Sequence, residues 1–88
     1  MDICFTNFNG KKYCSVTVDE SCFNGILRFG HEISLTFLKD GSDWKFDSAW
    51  HCGVYEAAWN AYEEEDFDQF FPGLLDEVRK GILKCESH

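Results

Sequence analysis

Glu63, Glu64, Glu65, Asp66 and Asp68 place five carboxyl groups within six residues, and Trp59, Tyr62, Phe67, Phe70 and Phe71 stand among them. Carboxyl groups this dense can work as an acid/base pair, hold a cation, or present a negative surface to a basic partner. An acid/base pair needs one carboxyl raised by burial beside one kept low, inside a cleft. Glu56, Glu63 and Glu64 instead fall on the polar arc of a helical pattern, where all stay solvated. A disordered acidic tail would lack the aromatics, because a chain poor in apolar groups cannot offset the entropy of ordering. The run therefore belongs to a folded segment, and a binding surface is the chemistry that fits it.

Other reactive groups form no constellation. His31, His51, Cys52, Cys85 and His88 are potential metal ligands, but structural zinc needs two close pairs and only Cys85 with His88 has such spacing. Asp40, Asp43 and Asp47 sit in "DGSDWKFD", which lacks the ligand order of an EF-hand and reads as a hairpin turn. His51 and Cys52 are sequence neighbours, and adjacent helical side chains diverge by about 100°, so they make a poor base and nucleophile. No Gly-rich phosphate loop, HExxH or GxSxG occurs. Neither catalysis, nor a metal, nor a cofactor is expected.

Charge sharpens the acidic reading. The chain of 88 residues carries a net charge of −8. Residues 46 to 78 include nine acids and no base, whereas residues 1 to 45 hold six acids and five bases. Such a surface repels nucleic acid and anionic lipid and steers basic surfaces over about 8–10 Å, one Debye length. Five cysteines, an odd number, and the lack of a basic, apolar leader after Met1 point to a reducing cytoplasm. No apolar run approaches the roughly 20 residues needed to span a bilayer.

The elements that must position these residues can be read along the chain. "ICFTNF-NG-KKYCSVTV" is two alternating runs around Asn9-Gly10, the pair suited to a type I′ hairpin. A two-residue loop sets Phe8 opposite Lys11, Phe5 opposite Cys14 and Cys4 opposite Ser15, so Cys4 and Cys14 point to opposite faces and cannot bridge. "GILRF" and "EISLTFL" read as a second pair turned at Gly30-His31, and an Asp40-Gly41 turn leads to a strand carrying Trp44 and Phe46. Ile33, Leu35 and Phe37 share one face, Ser34 and Thr36 the other.

The second half reads as helical. Val54, Tyr55, Ala57, Ala58, Trp59, Ala61 and Tyr62 form an apolar arc at 100° steps, which predicts a helix from about Ala49 to Glu64, capped by Asp47 or Ser48. Asp66 with Gln69 predicts a short turn ending before Pro72. Pro72 then opens a last helix with Leu74, Leu75, Val78 and Ile82 on its inner side. The expectation is one domain, residues 1 to 88, of α+β class: a small antiparallel sheet of four or five strands from the N-terminal half, packed by two or three helices from the C-terminal half.

Side chains four apart on a helix repeat at about 6 Å, so Glu56, Asn60, Glu63, Glu64, Glu65, Asp66 and Asp68 would form a curved, mostly negative row, with Trp59, Tyr62 and Phe67 as desolvated anchors. A protein that grips phosphates with Lys and Arg could accept that row in place of nucleic acid. The competing expectation is a protein-protein interaction module, or a homodimer, that uses the exposed sheet face or an edge strand while the acids serve only solubility.

"AAWNAYEEEDFDQFF", Ala57 to Phe71, resembles the small acidic inhibitors carried by phages and other mobile elements, including anti-CRISPR proteins that occupy the DNA-binding cleft of a Cas nuclease. The resemblance implies a non-enzymatic DNA mimic acting in the cytoplasm of an infected bacterial host. It implies that Glu63, Glu64, Glu65, Asp66 and Asp68 take the phosphate-like roles against a basic nucleic-acid-binding protein such as a Cas effector.

Overall fold

The computed structural model describes residues 1–19, 21, 32–52 and 60–87, with the backbone alone at 51, 52 and 60–62. The sheet begins with β1 (Asp2–Phe8) and β2 (Lys11–Asp19). Asn9 and Gly10 both take positive φ, 52° and 77°, which a type I′ turn demands and which side chains other than Asn, Asp and Gly resist. The turn fixes the register as expected: Phe8 faces Lys11, Phe5 faces Cys14, Cys4 faces Ser15. Cys4 is exposed and Cys14 buried, both as free thiols, and burial pushes the Cys14 thiol up to about 11.

β3 (Glu32–Asp40) pairs antiparallel with β2, and β4 (Asp43–Cys52) returns antiparallel to β3 across a turn in which Gly41 has φ 62°. β3 is therefore paired on both edges, by β2 and β4, and the segment 25–29 expected to pair with it lies outside the described residues. A short β5 (Asn60–Tyr62) pairs with Ala49–His51 of β4, completing a sheet in the order β1-β2-β3-β4-β5. β1 to β3 lie in the N-terminal half, β4 crosses the midpoint of the chain and the short β5 lies in the second half. Two helices follow, α1 (Glu64–Phe70) and α2 (Leu74–Glu86), and the α+β class holds.

The expected helix from Ala49 to Glu64 is the main correction. Residues 49–52 continue β4 and residues 60–62 are β5, while residues 53–59 lie outside the described residues. A β-bulge accounts for the misreading. Thr36 pairs with Ser48 and Phe37 with Phe46, which leaves Asp47 as the extra residue. Trp44 and Phe46 line the inner face before it. The added residue then shifts the alternation by one, so that Ala49 opposite Leu35 also points inward and is fully buried. The polar pair Asp47-Ser48 before an apolar stretch looks like a helix cap, but here it re-aims a strand.

The helices cover the inner sheet face. Cys14, Val16, Val18, Ile33, Leu35, Phe37 and Ala49 from the sheet meet Phe67 of α1 and Leu74, Leu75, Val78 and Ile82 of α2. The α2 residues are those its periodicity predicts; Asp76 and Glu77 in its first turn and Lys84 in its last complement the dipole. Pro72 precedes that helix by two residues, and Gly73, with φ 81°, reverses the chain as its N-cap.

Glu86 closes the far end of α2 onto the sheet. Lys39 Nζ donates to both its carboxylate oxygens at 2.9 and 2.8 Å, Trp44 Nε1 donates at 3.4 Å, and Lys12 Nζ lies 3.6 Å away. Both ammonium groups also sit over the Trp44 ring, at 4.9 Å for Lys39 and 5.9 Å for Lys12. The Lys39 hydrogen bonds, more than the Coulomb attraction of the two lysines, hold the Glu86 carboxyl below its usual range. A depressed carboxyl stabilises the fold above its unfolded-state pKa and loses that contribution as pH falls through the folded value. Glu86→Gln should therefore lower the unfolding midpoint at pH 7 and make it less dependent on pH below 5, as read by thermal melts across an acid titration.

Candidate functional site

α1 is too short to hold itself together. A helix of seven residues falls below the length at which isolated helices become stable. Its like-charged pair Glu64 and Asp68, four apart, costs a further ~0.2–0.5 kcal/mol. Glu64, Glu65 and Asp66 in its first turn gain from the dipole, but neither a side-chain N-cap nor a basic residue in its last turn assists. Packing must supply the rest, and it comes through Phe67, the single buried residue of the helix.

Phe67 joins a column of rings. Its centroid lies 6.3 Å from Phe46 and 5.1 Å from Phe71, and Phe46 meets Phe37 edge-on at 6.2 Å. Main-chain bonds brace the two turns around it: Phe67 N–H donates to Glu63 O, and Phe71 N–H to Phe67 O, both at 2.9 Å. Arg79 of α2 adds a lateral tie. Its Nη2 donates to Glu64 Oε1 at 2.9 Å while its guanidinium covers the Phe37 ring at 5.7 Å. The half-exposed ion pair contributes about 0.2–1 kcal/mol.

The acids are thereby all turned outward. Glu63, Glu64, Glu65, Asp66 and Asp68 are exposed while Phe67 between them is fully buried. Asp76 and Glu77 continue the exposed acidic run at the start of α2, a feature the absence of bases before Arg79 makes visible in the sequence. No acid of this run is buried.

The other predicted positions fare differently. Phe67 is not a contact residue: it faces the core, where its i, i+4 partner Phe71 also packs, and a fully buried ring cannot anchor a partner. Phe70 is the exposed ring of this segment, 66% accessible, and sequence reasoning passed over it. Glu56 and Trp59 lie outside the described residues, and so do the side chains of Asn60 and Tyr62, whose backbone is strand rather than helix. Of the expected helical row from Glu56 to Glu64, residues 60–62 are strand and Glu64 opens α1.

A groove of about 440 Å³ opens beside α1, lined by Asp43, Trp44, Lys45 and Phe46 of β4 with Ser42, Glu64, Arg79 and Leu83. Its charges balance, and each cation is engaged: Lys45 with Asp40 at 2.7 Å, Arg79 with Glu64. Among the described residues no cluster of three or more His, Cys, Asp or Glu is placed to hold a metal ion. No helix among them is long and apolar enough to cross a membrane.

Because one ring holds α1, Phe67→Ala should destabilise the protein by about 3–5 kcal/mol, the usual cost of removing a buried Phe. Phe70→Ala, at an exposed position, should stay within about 0.5 kcal/mol. Urea titrations of the two variants check the contrast. Comparison with known proteins adds no assignment: the chain matches no family model, no curated protein and no solved structure.

Proposed function

We propose that this protein is a non-enzymatic inhibitor that sets its acidic surface against the basic cleft of a nucleic-acid-binding protein, in the manner of an anti-CRISPR DNA mimic blocking a Cas nuclease. The observation that carries the reading is the division of labour in α1: Phe67 is fully buried while Glu63, Glu64, Glu65, Asp66 and Asp68 all face solvent. A solubilising surface has no need of a packed support, since loosely held acids solubilise as well. A mimic gains from one, because carboxylates already in place lose little conformational freedom on binding. Phe70, exposed beside them, supplies an apolar contact of the kind that anchors an interface.

Mechanistically the acids displace nucleic acid by offering a basic cleft the same charge. Lys and Arg that neutralise phosphates bind carboxylates through the same charge-assisted hydrogen bonds. Binding is then salt-sensitive, fast by electrostatic steering, and exclusive with nucleic acid.

The test leaves the Glu64–Arg79 tie intact and changes the four remaining acids, Glu63, Glu65, Asp66 and Asp68, together to Ser. Tagged wild-type and variant proteins are used to capture partners from a bacterial lysate, with and without competitor duplex DNA. The expected result is a basic nucleic-acid-binding protein retained by the wild type, released by DNA and by raised salt, and lost with the variant. Equal capture by both proteins, indifferent to DNA and salt, would overturn the reading.

A further inference from the structure

We infer that the outer edge of β1 is a homodimer interface, at which a second copy of this chain pairs antiparallel so that one sheet runs through both protomers. The inference is independent of the proposed acidic-surface function. It specifies the partner of the sheet edge as a second copy of this chain.

The hydrogen-bonding phase of β1 follows from its hairpin. In a two-residue type I′ hairpin the residues flanking the turn form a hydrogen-bonded pair, here Phe8 with Lys11, and such pairs then alternate along the ladder. Thr6, Cys4 and Asp2 therefore bond to Tyr13, Ser15 and Thr17 of β2, and the N–H and C=O groups of Ile3, Phe5 and Asn7 point away from the sheet. Among the described residues β1 has a strand on one side only. Free edges are ordinarily blunted by Lys, Pro, a bulge or extreme shortness. β1 spans seven residues, DICFTNF, with none of these, and its register with β2 is unbroken.

A second copy fits this edge by symmetry. Pairing about a two-fold axis through Phe5 sets Ile3 opposite Asn7 of the other copy and Phe5 opposite itself, which are the residues with outward-facing groups, so every such bond is made reciprocally. Side-chain faces also match. Ile3 and Phe5 lie on the inner face in each protomer, and Cys4 meets Thr6 on the outer face. Asp2 comes to lie beside Phe8 of the other copy, whose cross-strand neighbour is Lys11.

The charge distribution favours self-association on this side. β1 and β2 together carry Asp2 and Asp19 against Lys11 and Lys12, a net charge of zero. The acidic helix α1 packs on β4, at the other side of the sheet. In the dimer the two β4 strands are separated by seven strand spacings of about 4.8 Å, or roughly 34 Å. That is more than three Debye lengths at physiological salt, so the α1 carboxylates of the two copies offer each other little resistance.

Sedimentation equilibrium over a concentration series tests the inference, using the full chain and two variants. Asn7→Pro removes an outward N–H and leaves the bonds to β2 in place, a position where an edge strand tolerates proline. The wild type should rise from 10.2 kDa toward twice that mass, and Asn7→Pro should stay at 10.2 kDa with an unchanged circular dichroism spectrum. Thr6→Cys supplies a second readout that does not depend on how well Asn7→Pro folds. The new thiol faces Cys4 of the other copy at a non-hydrogen-bonded pair, where the Cα atoms lie about 4.5 Å apart, within disulfide reach. Two Cys4 residues across the axis sit diagonally at about 7–8 Å, beyond it. Copper-phenanthroline oxidation and peptide mapping should therefore link Cys4 to the new thiol of T6C between chains and give no Cys4–Cys4 link in the wild type. A mass of 10.2 kDa up to about 1 mM, the millimolar end of measurable affinity, would overturn the inference. So would a dimer in which T6C forms no link to Cys4.

Discussion

The contact on which the rest depends is the packing of Phe67 against Phe46 and Phe71. Sheet and α2 form a core with many redundant members, but α1 has one buried side chain. Through that ring a helix of seven residues, four of them acids, is held against β4. Charge repulsion alone would open the segment; burying one Phe offsets it with about 1.5–3 kcal/mol of transfer free energy. Charge and aromatics share the stretch because the rings on its inner side fix where the carboxylates stand on its outer side.

That arrangement depends in turn on β4. The bulge at Asp47 lets one strand keep Trp44 and Phe46 on the inner face and place Ala49 there too. Phe46 is thereby positioned to bridge Phe37 in the sheet and Phe67 in the helix. Beyond the bulge Ala49 is small, and β5 pairs alongside it, so the chain enters α1 from the edge of the sheet. At the opposite end Glu86 locks α2 to Lys39 and Trp44. The helix layer is thus fixed at one end by charge and at the other by aromatic packing.

Legibility in the sequence followed how local the determining interaction was. The β1–β2 hairpin and its register could be read because Asn9-Gly10 is a specific solution to a backbone requirement. The inner side of α2 could be read because Leu74, Leu75, Val78 and Ile82 recur at helical spacing with suitable charges at both ends. The β2–β3 pairing is not legible locally, because strand partners are chosen by the whole sheet and "GILRF" is the nearer candidate in sequence. At Asp47-Ser48 two local signals coincide, and only tertiary pairing with Thr36 and Phe37 distinguishes a bulge from a cap. Phe67 reads as a surface anchor because acids surround it in sequence. Its spacing of four from Phe71 marks the two as one helical side, and that was the available signal.

The acids of α1 stand on a packed support rather than on a loosely held segment. The most direct measurement is native-state hydrogen exchange at the Phe67 and Phe71 amides, which donate to Glu63 O and Phe67 O. Protection is expected at both amides, reduced by Phe67→Ala while the β2 and β3 amides remain protected. Exchange of both at the rate of an unstructured peptide, with the sheet protected, would contradict it.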